Sequence, residues 1–297
     1  MRYCEEALHG RLNPEAAIHG KTIVITGATS GIGLIAAERL AAMGARLVVV
    51  ARDRTRGEHA LARLRACGPD AAHSIHYADL SRLAEMKRVS AETAAAEPRI
   101  DVLINNAGSM FATREVTEDG LERTFATNHM AYFVLTHCLR ERLIASAPAR
   151  IVNTASGAHR DAKLDFADLQ MAGKYYFRTA YNRSKLANIL FTRELARRLA
   201  GSGVTANCLH PGFVSTRLGQ RDNLLLGVLV RIAMALRAGT AGEGAETIVY
   251  LAGSPDVADV SGQYFADRRA LSPSLEAQDD ANAGRLWSES ARLAGIA

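Results

Sequence analysis

Short apolar runs and longer helical stretches alternate along this chain. Ile23-Val-Ile25 and Leu47-Val-Val-Val50 are continuous β-branched or aliphatic runs, as expected of strands buried on both faces of a parallel sheet. Between them, residues 34–43 carry apolar side chains at helical spacing and stop at Gly44. The alternation continues. Residues 57–67 predict a helix with Ala60, Leu61 and Leu64 on its apolar face, ended by Gly68-Pro69. Residues 74–80 predict a short strand, Ser81 caps a helix through Ala96, and residues 100–104 predict the next strand. A long helix over 121–143, a strand over 150–156, a helix over 180–196, a strand over 204–210, a helix over 244–252 and a strand over 262–265 complete the series. This pattern predicts one α/β domain over residues 21–297, behind a short arm over 1–20.

The turn after the first strand reads Gly27-x-x-x-Gly31-x-Gly33. Glycines there let the backbone come close to a pyrophosphate, and the helix that follows offers free N–H groups and the positive end of its dipole. Gly27, Ser30, Gly31, Ile32 and Gly33 are the candidate phosphate contacts. The tip of the second strand, Ala51-Arg52-Asp53, bears on which dinucleotide binds. An acidic residue at the tip bonds ribose hydroxyls, whereas an arginine pairs with a 2′-phosphate. Ala51 occupies the usual place of the acid and Arg52 follows it, which favours NADP(H). Asp53 leaves NAD(H) open, or it caps a helix starting near Arg54.

Composition removes several classes. The chain has 297 residues, 48% of them hydrophobic, so one large core is feasible. The net charge is +5, but the arginines are scattered among Asp and Glu on helix faces. No basic block interleaved with aromatics points to nucleic acid. Cys4, Cys67, Cys138 and Cys208 lie far apart, and His73 and His76 have no partner at metal-ligand spacing, so neither a disulfide framework nor a metal site is expected. Residues 1–20 hold no apolar leader segment, and no apolar run reaches the length of a membrane span. A cytoplasmic protein with reduced thiols is the expectation.

The candidate chemistry falls at strand ends and on two helices. The fourth strand ends in Asn105-Asn106-Ala107-Gly108, and the long helix carries Asn128, a poor helix former, at its middle. The fifth strand delivers Ser156 at its tip. Tyr181 and Lys185 share one helix face at i and i+4. Glycine turn, N-N-A-G, Asn128, Ser156, Tyr181 and Lys185 in that order resemble the short-chain dehydrogenase/reductase family. Residues 151–159, 184–196, 209–212 and 260–265 are similar to its retinol-dehydrogenase-like branch, although Ala155-Ser156 stands where that branch has Ser-Ser.

The resemblance covers residues 21 to about 287. It implies a Rossmann fold, a doubly wound parallel sheet with helices on both faces. It also implies an oxidoreductase interconverting an alcohol and a ketone or aldehyde. Asn128, Ser156, Tyr181 and Lys185 become the catalytic set. Asp79 and Leu80 border the adenine, and Asn106, Ala107 and Gly108 lie along the cofactor. Pro211, Gly212, Val214 and Thr216 hold the nicotinamide end. Asn128 distorts its helix and links Lys185 to solvent through water.

The physical logic stands beside the name. Reduction of a carbonyl makes an alkoxide that needs a proton. A tyrosine hydroxyl has a reference pKa of about 10. A nearby lysine ammonium and the charge of the oxidised nicotinamide favour its phenolate. Tyr181 is then the acid in reduction and the base in oxidation. Lys185 lowers its pKa and bonds the nicotinamide ribose, and Ser156 holds the substrate oxygen.

Residues 224–236 are strongly apolar. They suit a substrate lid within about 215–240 that takes a hydrophobic molecule, or equally a core or oligomer-facing helix. A non-catalytic NADP(H)-sensing regulator on the same fold and an epimerase or dehydratase are the alternatives. The intact Ser156, Tyr181 and Lys185 oppose the first, and the glycine spacing opposes the second. Leu186, Ile189, Leu190, Phe191, Phe133, Val134 and His137 offer more apolar surface than solvated helices show. In related enzymes these two helices pair across a two-fold axis, so a homodimer or homotetramer is expected. The opposing possibility is that the long connection between Ser156 and Tyr181 folds over them.

Overall fold

Strand β1 (Thr22–Thr26) lies between β2 (Arg46–Ala51) and β4 (Val102–Asn105), pairing in parallel with both. The computed structural model describes residues 18–212 and 241–296. Within them, β3 (Ser74–Tyr77), β5 (Ala149–Thr154), β6 (Val204–Leu209), β7 (Tyr264–Ala266) and β8 (Arg269–Leu271) extend one sheet in the order β3-β2-β1-β4-β5-β6-β7-β8. All neighbours are parallel except β7 and β8. The chain reverses its direction of travel across the sheet between β1 and β4. The crevice outside the strand ends at such a switch point is where open α/β sheets bind ligands.

Helices cover both faces. One face carries α1 (Gly31–Ala42), α2 (Arg54–Cys67) and α6 (Ala241–Gly253), and its core includes Ile23, Ile25, Leu40, Val49, Ile104 and Ile248. The other carries α3 (Leu83–Ala96), α4 (residues 123–145), α5 (Phe177–Arg198) and α7 (Asp280–Ala294), and its core includes Val24, Met86, Tyr132, Phe133, Phe191 and Leu286. Helix α4 is continuous through an α-helical turn at Arg123–Phe125, a π-helical turn at Ala126–Met130 and an α-helix at Ala131–Ala145. Strand residues alternate between the two cores, as their period of two requires.

Four local readings need correction. Ser81 does not cap α3: its amide and hydroxyl both bond Asp79, and the first amide of α3, Leu83 N, donates to Asp119 Oδ2 at 2.8 Å. Helix α2 starts at Arg54 rather than at residue 57, and Asp53 is its cap, as one of the two readings of that residue had it, accepting from Arg56 N at 2.9 Å. The chain beyond β7 adds the antiparallel β8 and then α7, neither of which the apolar periodicity had marked.

The fourth correction concerns the apolar faces of α4 and α5. Phe133, Val134, Leu186, Ile189, Leu190 and Phe191 are all buried within the chain. Helix α7 covers two of them: Trp287 stands edge-on to Phe133 at 5.1 Å and stacks on Phe191 at 5.8 Å. Part of the surface on which the expectation of a homodimer or homotetramer rested is thus packed within the chain.

Candidate active site

The glycine turn and the N-N-A-G loop are built against each other. Gly27 has φ +71°, and a Cβ there would lie 2.7 Å from Ala107 Cα, so no side chain fits. A Cβ on Gly33 would run into the Asn106 side chain. Thr26 at the end of β1 accepts through Oγ1 from the amides of Asn106 at 2.9 Å and Ala107 at 3.0 Å. Asn106 Nδ2 donates back to the Thr26 and Gly27 carbonyls. One strand further, Asn105 Nδ2 donates to Asn153 Oδ1 at 2.9 Å, and Asn153 Nδ2 to Thr192 Oγ1 at 2.9 Å. The asparagines thus tie the strand ends together beside Gly108.

The cradle fits a dinucleotide. Ser30 ends the turn in extended conformation, and α1 begins at Gly31, φ +58°, so the first amides of α1 face the turn without helical partners. At the tip of β2, Ala51 is buried while Arg52 and Arg56 are exposed. Arg56 Nη2 donates to Ser30 Oγ at 3.0 Å. Sequence reading missed Arg56. Its place one turn into α2 is local, but its reach back to the glycine turn needs the fold. Asp79 and Leu80 follow β3, and Pro211 and Gly212 follow β6. Val214, Thr216 and the lid expected over 215–240 lie outside the described residues.

Asn128, Ser156, Tyr181 and Lys185 come from three elements and converge at the C-terminal ends of β4 and β5. The π-turn ends with Ala131 N bonding Ala126 O. Asn128 Oδ1 accepts from Ser109 N at 2.8 Å, and its Nδ2 donates to Ser109 O at 2.9 Å and Ser184 Oγ at 3.0 Å. Asn128 therefore clasps the chain just after Gly108 and joins it to the helix of Tyr181. Lys185 Nζ donates to Thr154 O at 3.0 Å. A Cβ on Gly108 would lie 3.4 Å from both Asn128 Oδ1 and Lys185 Nζ, so the glycine fills the narrow space between them. Ser156 lies two residues beyond β5 and caps the 3-10 turn Gly157–Asp161, its Oγ accepting from Ala158 N at 3.2 Å.

The electrostatics follow from burial. Lys185 is buried, and desolvation pulls its pKa down to about 7. Burial pushes the Tyr181 hydroxyl up, with the Ser156 hydroxyl bond acting the other way. Burial is the larger of these two influences and holds the phenol protonated. Tyr132, wholly buried behind Tyr181, is raised well above the ordinary phenol value, first by burial. A protonated phenol beside a serine hydroxyl, with an ammonium on the same helix face, can donate a proton to an oxygen that gains electrons.

Other residues joined the site only in three dimensions. Asn188, one turn beyond Lys185 and fully buried, donates through Nδ2 to the Asn128 carbonyl at 2.9 Å. The long connection before Tyr181 is stitched to the loop after Gly108. Tyr175 OH donates to Phe111 O at 2.8 Å, and Gln170 Oε1 accepts from Glu122 N at 2.7 Å. It is anchored there, and the rings of Phe133 and Phe191 on α4 and α5 are covered by α7 instead. Among the described residues no cluster of His, Cys, Asp or Glu could hold a metal, and no helix is long and apolar enough to cross a membrane.

Residues 21–224 match the short chain dehydrogenase family. The chain belongs to that family and is an NAD(P)-dependent oxidoreductase of alcohol and carbonyl groups. Within the family it stands in the retinol-dehydrogenase-like branch. It is 43% identical over 291 residues to mouse retinol dehydrogenase 14, covering 94% of this chain and 87% of that protein. Among solved structures, an uncharacterised protein from Mycobacterium paratuberculosis superposes with TM-score 0.74 at 32% identity, covering 94% of this chain and 95% of that one. A blue fluorescent protein from a metagenomic library, solved in complex with NADPH, gives TM-score 0.65 at 31% identity, covering 84% of this chain and 96% of that one.

Proposed function

We propose that this chain uses NADP(H) to interconvert an alcohol and an aldehyde or ketone on a hydrophobic small molecule. The cofactor, when bound, supplies or accepts the hydride. Gly27, Gly31 and Gly33 with the first amides of α1 hold its pyrophosphate. Arg52 and Arg56 face a 2′-phosphate at the β2 tip, with Ser30 between α1 and Arg56. Asp79 and Leu80 border the adenine, and Asn106 to Gly108 line the path toward the nicotinamide. Lys185 bonds the nicotinamide ribose, and Pro211, Gly212, Val214 and Thr216 hold the carboxamide end.

Tyr181 gives its proton to the substrate oxygen in reduction and takes it back in oxidation. Ser156 donates to that same oxygen and fixes its place. Asn128 keeps the Gly108 loop and Ser184 in register with Tyr181.

The observation that carries the NADP(H) reading is the buried Ala51 followed by two exposed arginines, one bonded to Ser30. The complex of a relative with NADPH and the name of the retinol dehydrogenases support the cofactor and a lipophilic substrate. The test is oxidation of NADPH and, in parallel, NADH with all-trans-retinal, decanal and cyclohexanone. Faster turnover of the two lipophilic aldehydes with NADPH supports the proposal. Preference for NADH, or for the small ketone, overturns it.

A further inference from the structure

Two fully buried histidines stand beside the site, and each is held by the C-terminal segment. His159 Nδ1 lies 2.7 Å from the Ser156 carbonyl, and Ser274 N lies 3.1 Å from His159 Nε2. A carbonyl only accepts and an amide N–H only donates, so the proton sits on Nδ1 and Nε2 is bare. His129 follows the same rule. Asn188 must present Nδ2 to the Asn128 carbonyl at 2.9 Å, which leaves its Oδ1 facing His129 Nδ1 at 3.4 Å. The proton is again on Nδ1, and Ser290 Oγ donates to Nε2 at 2.9 Å.

Both chains of hydrogen bonds therefore run one way. Ser274 leads through His159 to the carbonyl of Ser156. Ser290 leads through His129 and Asn188 to the carbonyl of Asn128. Ring rotation is blocked in each case: His159 packs edge-on against Tyr264 at 5.0 Å, and His129 sits between Phe125 at 5.0 Å and Phe191 at 6.0 Å. Burial lowers the pKa of both rings, His129 to about 4, which keeps them neutral in this tautomer.

We propose that residues 269–294 belong to the catalytic machinery: they clamp the backbone of Ser156 and Asn128 through His159 and His129, which are positioning residues for the reaction. Any buried histidine takes the tautomer its partners dictate, so what sets this pair apart is where the bonds lead. Here both rings aim their one proton at the site, and both take their acceptor bond from the same distant segment. The proposal rests on the reading of Ser156 and Tyr181 as the reacting groups.

The test uses the full chain and four variants: His159→Phe, His159→Asn, Ser290→Ala and Tyr181→Phe. Phe keeps the ring packing and removes both bonds. Asn keeps a donor where Nδ1 stands. Ser290→Ala removes one hydroxyl with almost no change in volume. Turnover is measured with NADPH and decanal, NADPH affinity by fluorescence, and amide hydrogen exchange over residues 126–130 and 155–162.

His159→Phe and Ser290→Ala should each lower kcat about tenfold while NADPH affinity and the decanal KM move less than twofold. Exchange should speed up in the matching segment, 155–162 for the first and 126–130 for the second. His159→Asn, which keeps the bond to the Ser156 carbonyl but loses the acceptor for Ser274 N, should recover only part of the kcat. Unchanged exchange in both segments overturns the clamp. So does a parallel loss of kcat, NADPH affinity and melting temperature without recovery in His159→Asn, the mark of a general folding defect. Tyr181→Phe should lose turnover with exchange unaltered. If it keeps wild-type turnover, the reading of the reacting groups fails, while the exchange data still decide the clamp.

Discussion

Lys185 Nζ donates to the carbonyl of Thr154 at 3.0 Å, so the last residue of β5 holds the lysine of α5. The same carbonyl lies 3.4 Å from Tyr132 OH and 3.5 Å from Asn188 Nδ2. A strand end is suited to this role, because the final carbonyl has no further ladder partner and turns toward the side chains above the sheet. The lysine reaches its place through a backbone group that no substitution removes.

That placement costs stability. Burial lowers Lys185 to about 7 from an ordinary value of 10.5, so its folded-state pKa lies below its unfolded one. The penalty is full below about pH 7 and fades as pH rises toward 10.5. Lys185→Met should therefore raise the unfolding free energy at pH 7, by on the order of 2 kcal/mol after the lost hydrogen bond is subtracted, and abolish turnover. Chemical denaturation measures it, and a destabilised Lys185→Met would refute the assignment of burial as the dominant influence.

Tyr181→Phe should keep the fold and NADPH binding and remove the proton donor. Turnover with the best aldehyde should fall by about a hundredfold or more, the scale of a positioned acid. Steady-state kinetics at saturating NADPH give the answer, and near-wild-type rates would mean that another group supplies the proton.

Arg52→Ala and Arg56→Ala should each weaken NADPH and leave NADH nearly unchanged. A hydrogen bond to a charged group contributes about 1.5–3 kcal/mol when desolvated, and less at exposed side chains. An increase of about fivefold in the NADPH KM per arginine is the expected result. Equal effects on both cofactors would show that the arginines serve only the local fold.

Histidine burial sets an acid limit. His129 is lowered to about 4 and His73 is lowered as well, in both cases first by desolvation. His73 accepts from Leu47 N at Nδ1, 3.1 Å, and its Nε2 faces the Gly68 carbonyl at 3.0 Å, so it too is neutral with one proton. Their folded-state pKa values lie below the unfolded value of about 6.5. Stability is thus full above that value and lost as pH falls from 6.5 toward 4, since the unfolded chain binds protons that the native one does not. Denaturant midpoints at pH 7.5, about 6 and about 5 should decrease in that order, before most carboxylates titrate; a flat profile over this range counts against buried neutral histidines.

With Trp287 over Phe133 and Phe191, the helical face that a two-fold partner would need is occupied. The chain should sediment as a single species near 31.9 kDa at low micromolar concentration. Trp287→Ala should lower stability by about 2–4 kcal/mol by opening a cavity over two aromatic rings, and should promote self-association through the exposed rings. A stable dimer of the unaltered chain would show that pairing uses another surface.

The sequence alone determined what short range can encode. A β-branched run makes a buried strand wherever it sits, and glycines at 27, 31 and 33 permit one kind of turn. Tyr181 and Lys185 share a helix face because four residues make about one turn. Strand ends bring Ser156 and Asn106 to one edge because parallel strands run in one direction. Those features placed the family, the sheet and the principal side chains. Tertiary structure decided the remainder. Asp119 rather than Ser81 serves the start of α3, because a capping oxygen from another loop competes with the local one. Arg56 reaches Ser30 across 26 positions, and Ser290 reaches His129 across 161. Whether α4 and α5 were bare or covered turned on α7, whose own stripe of Ala283, Leu286, Ser290 and Ala294 marks a buried face without saying which helices that face meets. Such pairings arise from the need of each buried polar group for a partner, and periodicity along a chain does not record which distant residue will meet that need.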